Sequence, residues 1–183
     1  ATLVGFALHT AGLSQRWTEA GRFPAVGLHD AASLLAWAIV LAFFLTFLRT
    51  RVDALGLVAY PAAFALLLVA NLTPATDRAD PILLSLYLPV HATLAFFGYA
   101  SLFLAFAMGG LYLIQERELK SRTPRAFYYL APSLERCDTI SGRSVAVGLG
   151  FLTLAIITGV LWNEQARGRP FAGDPKEGSA IIA

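Results

Sequence analysis

From Ile82 to Gln115 the chain runs for 34 residues without one Asp, Glu, Lys or Arg. A helix rises about 1.5 Å per residue and a bilayer core is about 30 Å thick, so about 20 such residues cross it. Four further apolar stretches accompany this one: a short one from the start to about Leu13, then about Ala31 to Leu48, Ala54 to Leu72 and Ser144 to Trp162. Charged residues make up only 14% of the chain and hydrophobic ones 57%, against about 25% charged in soluble domains. This balance excludes an ordinary cytosolic domain, a disordered chain and a disulfide-stapled secreted module. A formal charge of +2 spread over many loops is no basic footprint, which argues against a nucleic-acid partner. No strand alternation survives over these lengths, so a closed barrel is excluded too. The fold class expected is all-α, a polytopic transmembrane helical bundle of about five spans plus an amphipathic interfacial segment.

The details of the spans follow from prolines and charges. Pro89 interrupts the long run, which divides it into a short interfacial piece, Ile82 to Leu88, and a span from about Val90 to Ile114. Pro61 marks a kink in the third stretch. Residues 115–143, with Tyr128, Tyr129 and Leu130 among Arg and Glu, read as the amphipathic segment lying along the interface. The chain opens on Ala1 rather than Met, and Ser179 to Ala183 resembles the first turn of another helix. The expectation is one transmembrane domain over 1–183, truncated at both ends.

Orientation follows from where Lys and Arg fall. Loops 49–53 and 116–143 share a side and hold eight: Arg49, Arg51, Arg117, Lys120, Arg122, Arg125, Arg136 and Arg143. The other side holds six, Arg16, Arg22, Arg78, Arg167, Arg169 and Lys176, over longer loops. This places 49–53 and 116–143 in the cytoplasm, with 14–30, 73–81 and 163–178 outside.

Few residues remain that can do chemistry. Cys137 is the only cysteine, so neither a disulfide within the chain nor a CxxC or CxxCH motif exists. Gly148-Leu149-Gly150 is no phosphate loop, since no strand precedes it and no GK[ST] follows. No Ser/His/Asp or paired-carboxylate set can be argued from spacing, and no catalytic residue is assigned. The three histidines, His9, His29 and His91, all fall toward the outer face. Ionisable groups at membrane depth are costly and point to function by default. Projected at about 100° per residue, His91 shares a face with Ala95, Gly98, Ala105 and Gly109, the small residues of a helix contact. The last apolar stretch carries a matching stripe, Ser144, Gly148, Ala155 and Gly159. An inward imidazole at the membrane edge suits an axial haem ligand. It equally serves by hydrogen-bonding a carbonyl, and the stripes equally serve as plain packing. The outer segment 163–178 is either a solvated loop or a platform holding an anion by Arg167, Arg169 or Lys176.

Several segments resemble the CcsA/ResC-type cytochrome c assembly proteins, a family that shares a superfamily with HemX-like membrane proteins. They are RWTEAGRFPAVGLHDAASLLAW (16–37), LSLYLPVHATLAFFGYASLFLAFAMGGLYLIQERELKSR (84–122) and LAPSLERCDTISGRSVAVGLGFLTLAIITGVLW (130–162). The run GDPKE (173–177) is similar to the DPKE that closes the family's Trp-rich outer segment. The motifs come in the family's order over nearly the whole chain.

The resemblance implies haem, of the b type and as ligand or cargo, presented at the outer membrane face for thioether attachment to apocytochrome c. It implies His91 as an axial ligand of the haem iron and Asp174, Pro175, Lys176 and Glu177 as the end of the haem-facing platform. His29 and His9 are further cofactor-binding candidates. It also implies a partner membrane protein, a role as part of a cytochrome c haem lyase, and a bacterial-type plasma (inner) membrane with the GDPKE segment outside. Two departures stand against the family pattern. Between Trp162 and Asp174 the only aromatic is Phe171, and Gly27-Leu28-His29-Asp30 replaces an Asn-x-Tyr-Glu-like stretch. They point to the alternative of a HemX-like haem-binding regulator or transporter without ligation activity. A structural helical subunit of a respiratory complex is the third reading.

Overall fold

The computed structural model describes residues 2–75, 87–121 and 131–167. Five α-helices account for most of them: α1 (Thr2–Ala20), α2 (Gly27–Thr50), α3 (Gly56–Leu72), α4 (Tyr87–Lys120) and α5 (Leu134–Arg167). No strand occurs among the described residues. Four segments are long and apolar enough to cross a membrane: Gly27–Thr50, Asp53–Leu72, Tyr87–Lys120 and Leu134–Gln165. The short first stretch forms a helix as well. However, α1 extends past Leu13 through Ser14, Gln15, Arg16 and Glu19 to residue 20, and this polar half keeps it below a spanning helix's hydropathy.

Two boundaries differ from the sequence reading. The break expected at Pro89 is absent, because Pro89 sits in the first turn of α4, where no backbone N–H is needed for the helix. Residues 82–86 lie outside the described residues. The two described ends of segment 115–143 belong to long helices. Gln115 to Lys120 continue α4, with Lys120 Nζ 2.8 Å from Glu116 Oε1 one turn earlier, and Leu134 to Arg143 open α5. Tyr128, Tyr129 and Leu130 lie outside the described residues. At 34 residues each, α4 and α5 are about 50 Å long and overhang a bilayer core by about 20 Å. α3 continues through Pro61.

The turn between α2 and α3 is tight. Arg51 takes the left-handed conformation (φ 53°) and its N–H caps Phe47 O at 2.8 Å, after which Asp53–Leu55 form one 3-10 turn. Val52, Ala54 and Leu55 are buried there and close the core. That core gathers Ile39 and Phe43 of α2, Ala59 of α3, Leu104, Met108 and Leu111 of α4, and Cys137 and Ile140 of α5. It lies toward the α2–α3 turn.

α4 and α5 run antiparallel along the largest helix contact, and glycines set it. A Cβ on Gly98 would stand 2.7 Å from Leu152, and one on Gly148 would stand 2.9 Å from Leu102 and 3.2 Å from Gly98 O. Each leucine thus occupies a notch that only glycine leaves open, the close approach expected of small-residue stripes. Ser141 Oγ donates to Ala105 O at 3.2 Å, and Phe97 and Phe151 rings lie 5.8 Å apart on the same seam. Of the expected stripe, Gly109 meets nothing within 4 Å.

Candidate functional site

The N-terminal turns of α2 and α4 and the C-terminal turns of α3 and α5 fall at one end of the bundle. His29 sits in the first turn of α2 and His91 at the start of the second turn of α4, both at that end. His91 is half-buried. Its Nδ1 lies 2.8 Å from Ala155 O of α5. A carbonyl oxygen only accepts, so Nδ1 carries a proton and donates, and in the tautomer protonated there alone the lone pair lies on Nε2. Gly159 makes room for the ring: a Cβ there would stand 3.0 Å from His91 Cε1. Trp162 lies beside the imidazole, its ring centroid 6.1 Å from that of His91. The buried indole Nε1 of Trp162 has no hydrogen-bond partner among the described residues. Leaving such a donor unpaired costs about 1–3 kcal/mol, so a ligand acceptor beside His91 would be favoured.

His29 repeats the arrangement on the neighbouring helix pair. Its Nδ1 donates to Ala70 O of α3 at 2.7 Å, a carbonyl in the last turn of that helix that also accepts the capping N–H of Thr73 at 3.1 Å. His9 differs. Its Nε2 lies 3.0 Å from Ser33 Oγ, and together with Trp37 Nε1 donating to Thr10 Oγ1 at 2.9 Å it ties α1 to α2. Phe6 stacks on Trp37 with centroids 5.6 Å apart in the same contact. The platform residues Asp174, Pro175, Lys176 and Glu177 lie outside the described residues. No group of three His, Cys, Asp or Glu side chains is placed to hold a bare metal ion among the described residues. A haem needs only an axial ligand, because the porphyrin supplies the rest of the coordination.

Asp30 was not singled out from sequence and is among the most buried side chains, at 1% exposure. Arg22 Nη1 approaches it at 3.2 Å, Arg16 Nε at 3.4 Å and the Val26 N–H at 3.3 Å. Gly21 and Gly27, with φ of 62° and 86°, bracket the short loop that folds Arg22 back under the start of α2. A carboxylate next to His29 in LHDAAS, at the edge of an apolar run, was the available signal. A cavity of about 290 Å³ lies beside this cluster, lined by Trp17, Phe23, Leu34, Trp37 and Phe96.

Bundle, overhang and carbonyl-anchored histidines together define a polytopic helical membrane protein with ligand-capable side chains at one end. The chain belongs to the family described as Cytochrome C assembly protein, which it matches over residues 2–183, and it is an integral membrane protein. It is 28% identical over 176 residues to "Protein HemX" of Brevibacillus brevis, covering 95% of this chain and 65% of that protein. It is 26% identical over 206 residues to "Cytochrome c biogenesis protein CcsA" of Chlorella vulgaris, covering 94% and 65%. To the protein of that name from Chlamydomonas reinhardtii it is 28% identical over 175 residues, covering 91% and 48%. The chain therefore spans about two thirds or less of the length of these relatives.

Proposed function

We propose that this chain handles haem in cytochrome c assembly, with haem as cargo held through His91 at the outer membrane face. The observation that carries the reading is the Nδ1–H of His91 fixed on Ala155 O, which orients the ring and leaves Nε2 for iron. Trp162 Nε1 offers an unused donor beside it. The names of the CcsA relatives support a place in cytochrome c biogenesis. The distribution of Lys and Arg supports a cytoplasmic α2–α3 turn and an external histidine end. When bound, haem supplies the vinyl groups across which the S–H bonds of a reduced CxxCH apocytochrome add. The protein's part is positioning and axial ligation, with a partner membrane protein and the Asp174–Glu177 platform completing the site.

A second reading has its own observation. The outer segment holds Phe171 as its only aromatic between Trp162 and Asp174, and a HemX protein is among the relatives. This favours haem binding without ligation to protein. An absorption spectrum of the purified full-length protein tests both readings: a Soret band lost in His91→Ala is expected. Absence of the band in wild type overturns both. Holocytochrome formation on co-expression with a CxxCH apocytochrome selects the first, and its absence in the presence of a Soret band selects the second.

A further inference from the structure

A second feature, lined by none of the histidines, runs along the bundle from Thr93 and Leu94 of α4 toward the end opposite them. α2 and α5 both pack on α4 and leave a groove of about 450 Å³ between them. Each helix lines it with one stripe at helical spacing. Leu45 and Thr46 come from α2, Phe97 and Leu104 from α4, and Val147 and Phe151 from α5. At one mouth stand two arginines, Arg49 and Arg143. Neither has a carboxylate or hydrogen-bond partner among the described residues. Their level in the membrane is fixed by the helices. Arg49 is in the last turn of α2, and Arg143 lies where the overhanging first turns of α5 give way to its apolar run.

We infer that this groove binds an anionic phospholipid, its phosphate between Arg49 and Arg143 and one acyl chain along Leu45, Phe97 and Val147. Charge selects the occupant: two guanidiniums at the interface attract a phosphate headgroup, and basic pockets between spanning helices favour anionic lipids. The apolar floor excludes a small hydrophilic anion. No His, Cys, Met or Tyr lines the groove, so it offers no iron ligand, which distinguishes it from the histidine end.

The test is native mass spectrometry of the full chain in mild detergent, titrated with phosphatidylglycerol or phosphatidylethanolamine of matched acyl chains. Phosphatidylglycerol is expected to stay bound where phosphatidylethanolamine is stripped. The R49Q/R143Q double variant should bind it about twenty-five-fold more weakly, at about a factor of five per arginine, and R49K/R143K should retain most of the affinity. Circular dichroism reports whether each variant is folded. Should R49Q/R143Q not fold, Val147→Trp, which fills the groove and keeps both arginines, must lose the lipid. Equal retention of the two lipids by wild type, or lipid retention by folded R49Q/R143Q or by Val147→Trp, overturns the inference. So does binding of haemin, but not of phosphatidylglycerol, with the same arginine dependence.

Discussion

His91 Nδ1 and Ala155 O meet at 2.8 Å although 64 positions separate them in the chain. One hydrogen bond therefore fixes both the height of the ring on α4 and its rotation against α5. The ring is held on its Nδ1 side, and its Nε2 makes no hydrogen bond among the described residues.

Gly159 is the space the imidazole occupies, so Gly159→Val should move His91 without removing it. The expected outcome is loss of the Soret band comparable to His91→Ala, with a stability loss of about 1–3 kcal/mol from overpacking. Absorption spectra and thermal melting of the two variants side by side check this; a normal Soret band in Gly159→Val contradicts it.

The leucine notches make a prediction about stability alone. Gly148→Val places methyl groups against Leu102 and the Gly98 carbonyl, and is expected to lower stability by about 1–3 kcal/mol. Gly109→Ala, where nothing lies within 4 Å, should not lower stability and by helix propensity should raise it by about 0.5–1 kcal/mol. Equal effects of the two would show that the seam is not set by these notches.

Asp30 holds Arg22 and Arg16 at the start of α2. Removing one partner from a buried ion pair strands the other charge, so Asp30→Asn is expected to cost about 3–5 kcal/mol. Limited proteolysis should report it as faster cleavage in the 21–26 loop. Protection equal to wild type would contradict the role.

His29 caps an end carbonyl of α3, so His29→Ala should cost about 1 kcal/mol, the worth of an ordinary hydrogen bond. If iron is held through His91, this variant keeps most of the Soret intensity that His91→Ala loses. A ranking in the opposite order in the two spectra would assign the ligand to His29.

The helices and the α4–α5 contact were legible because hydropathy and small-residue spacing are properties of one element at a time. Gly98, Gly148, Gly159 and His91 fell on the right faces from periodicity alone. The helix ends were less legible. Gln115-Glu116-Arg117-Glu118 is as good a helix former as it is an interfacial loop, and only the described fold shows α4 continuing. Asp30 was missed for another reason. Its partners, Arg16 and Arg22, lie 14 and 8 positions upstream, across the end of α1 and a loop whose path two left-handed glycines decide. The groove at Arg49 and Arg143 joins residues of three helices, and no single stretch of sequence announces it.

The seating of Leu152 on Gly98 and of Leu102 on Gly148 works as a detent. An axial slip of α5 by one residue, about 1.5 Å, would unseat both at once. The depth at which His91 stands is consequently governed by notches about two and three turns farther along the seam. Substitutions remote from the imidazole can thus shift it, within the tolerance of two leucines in their sockets.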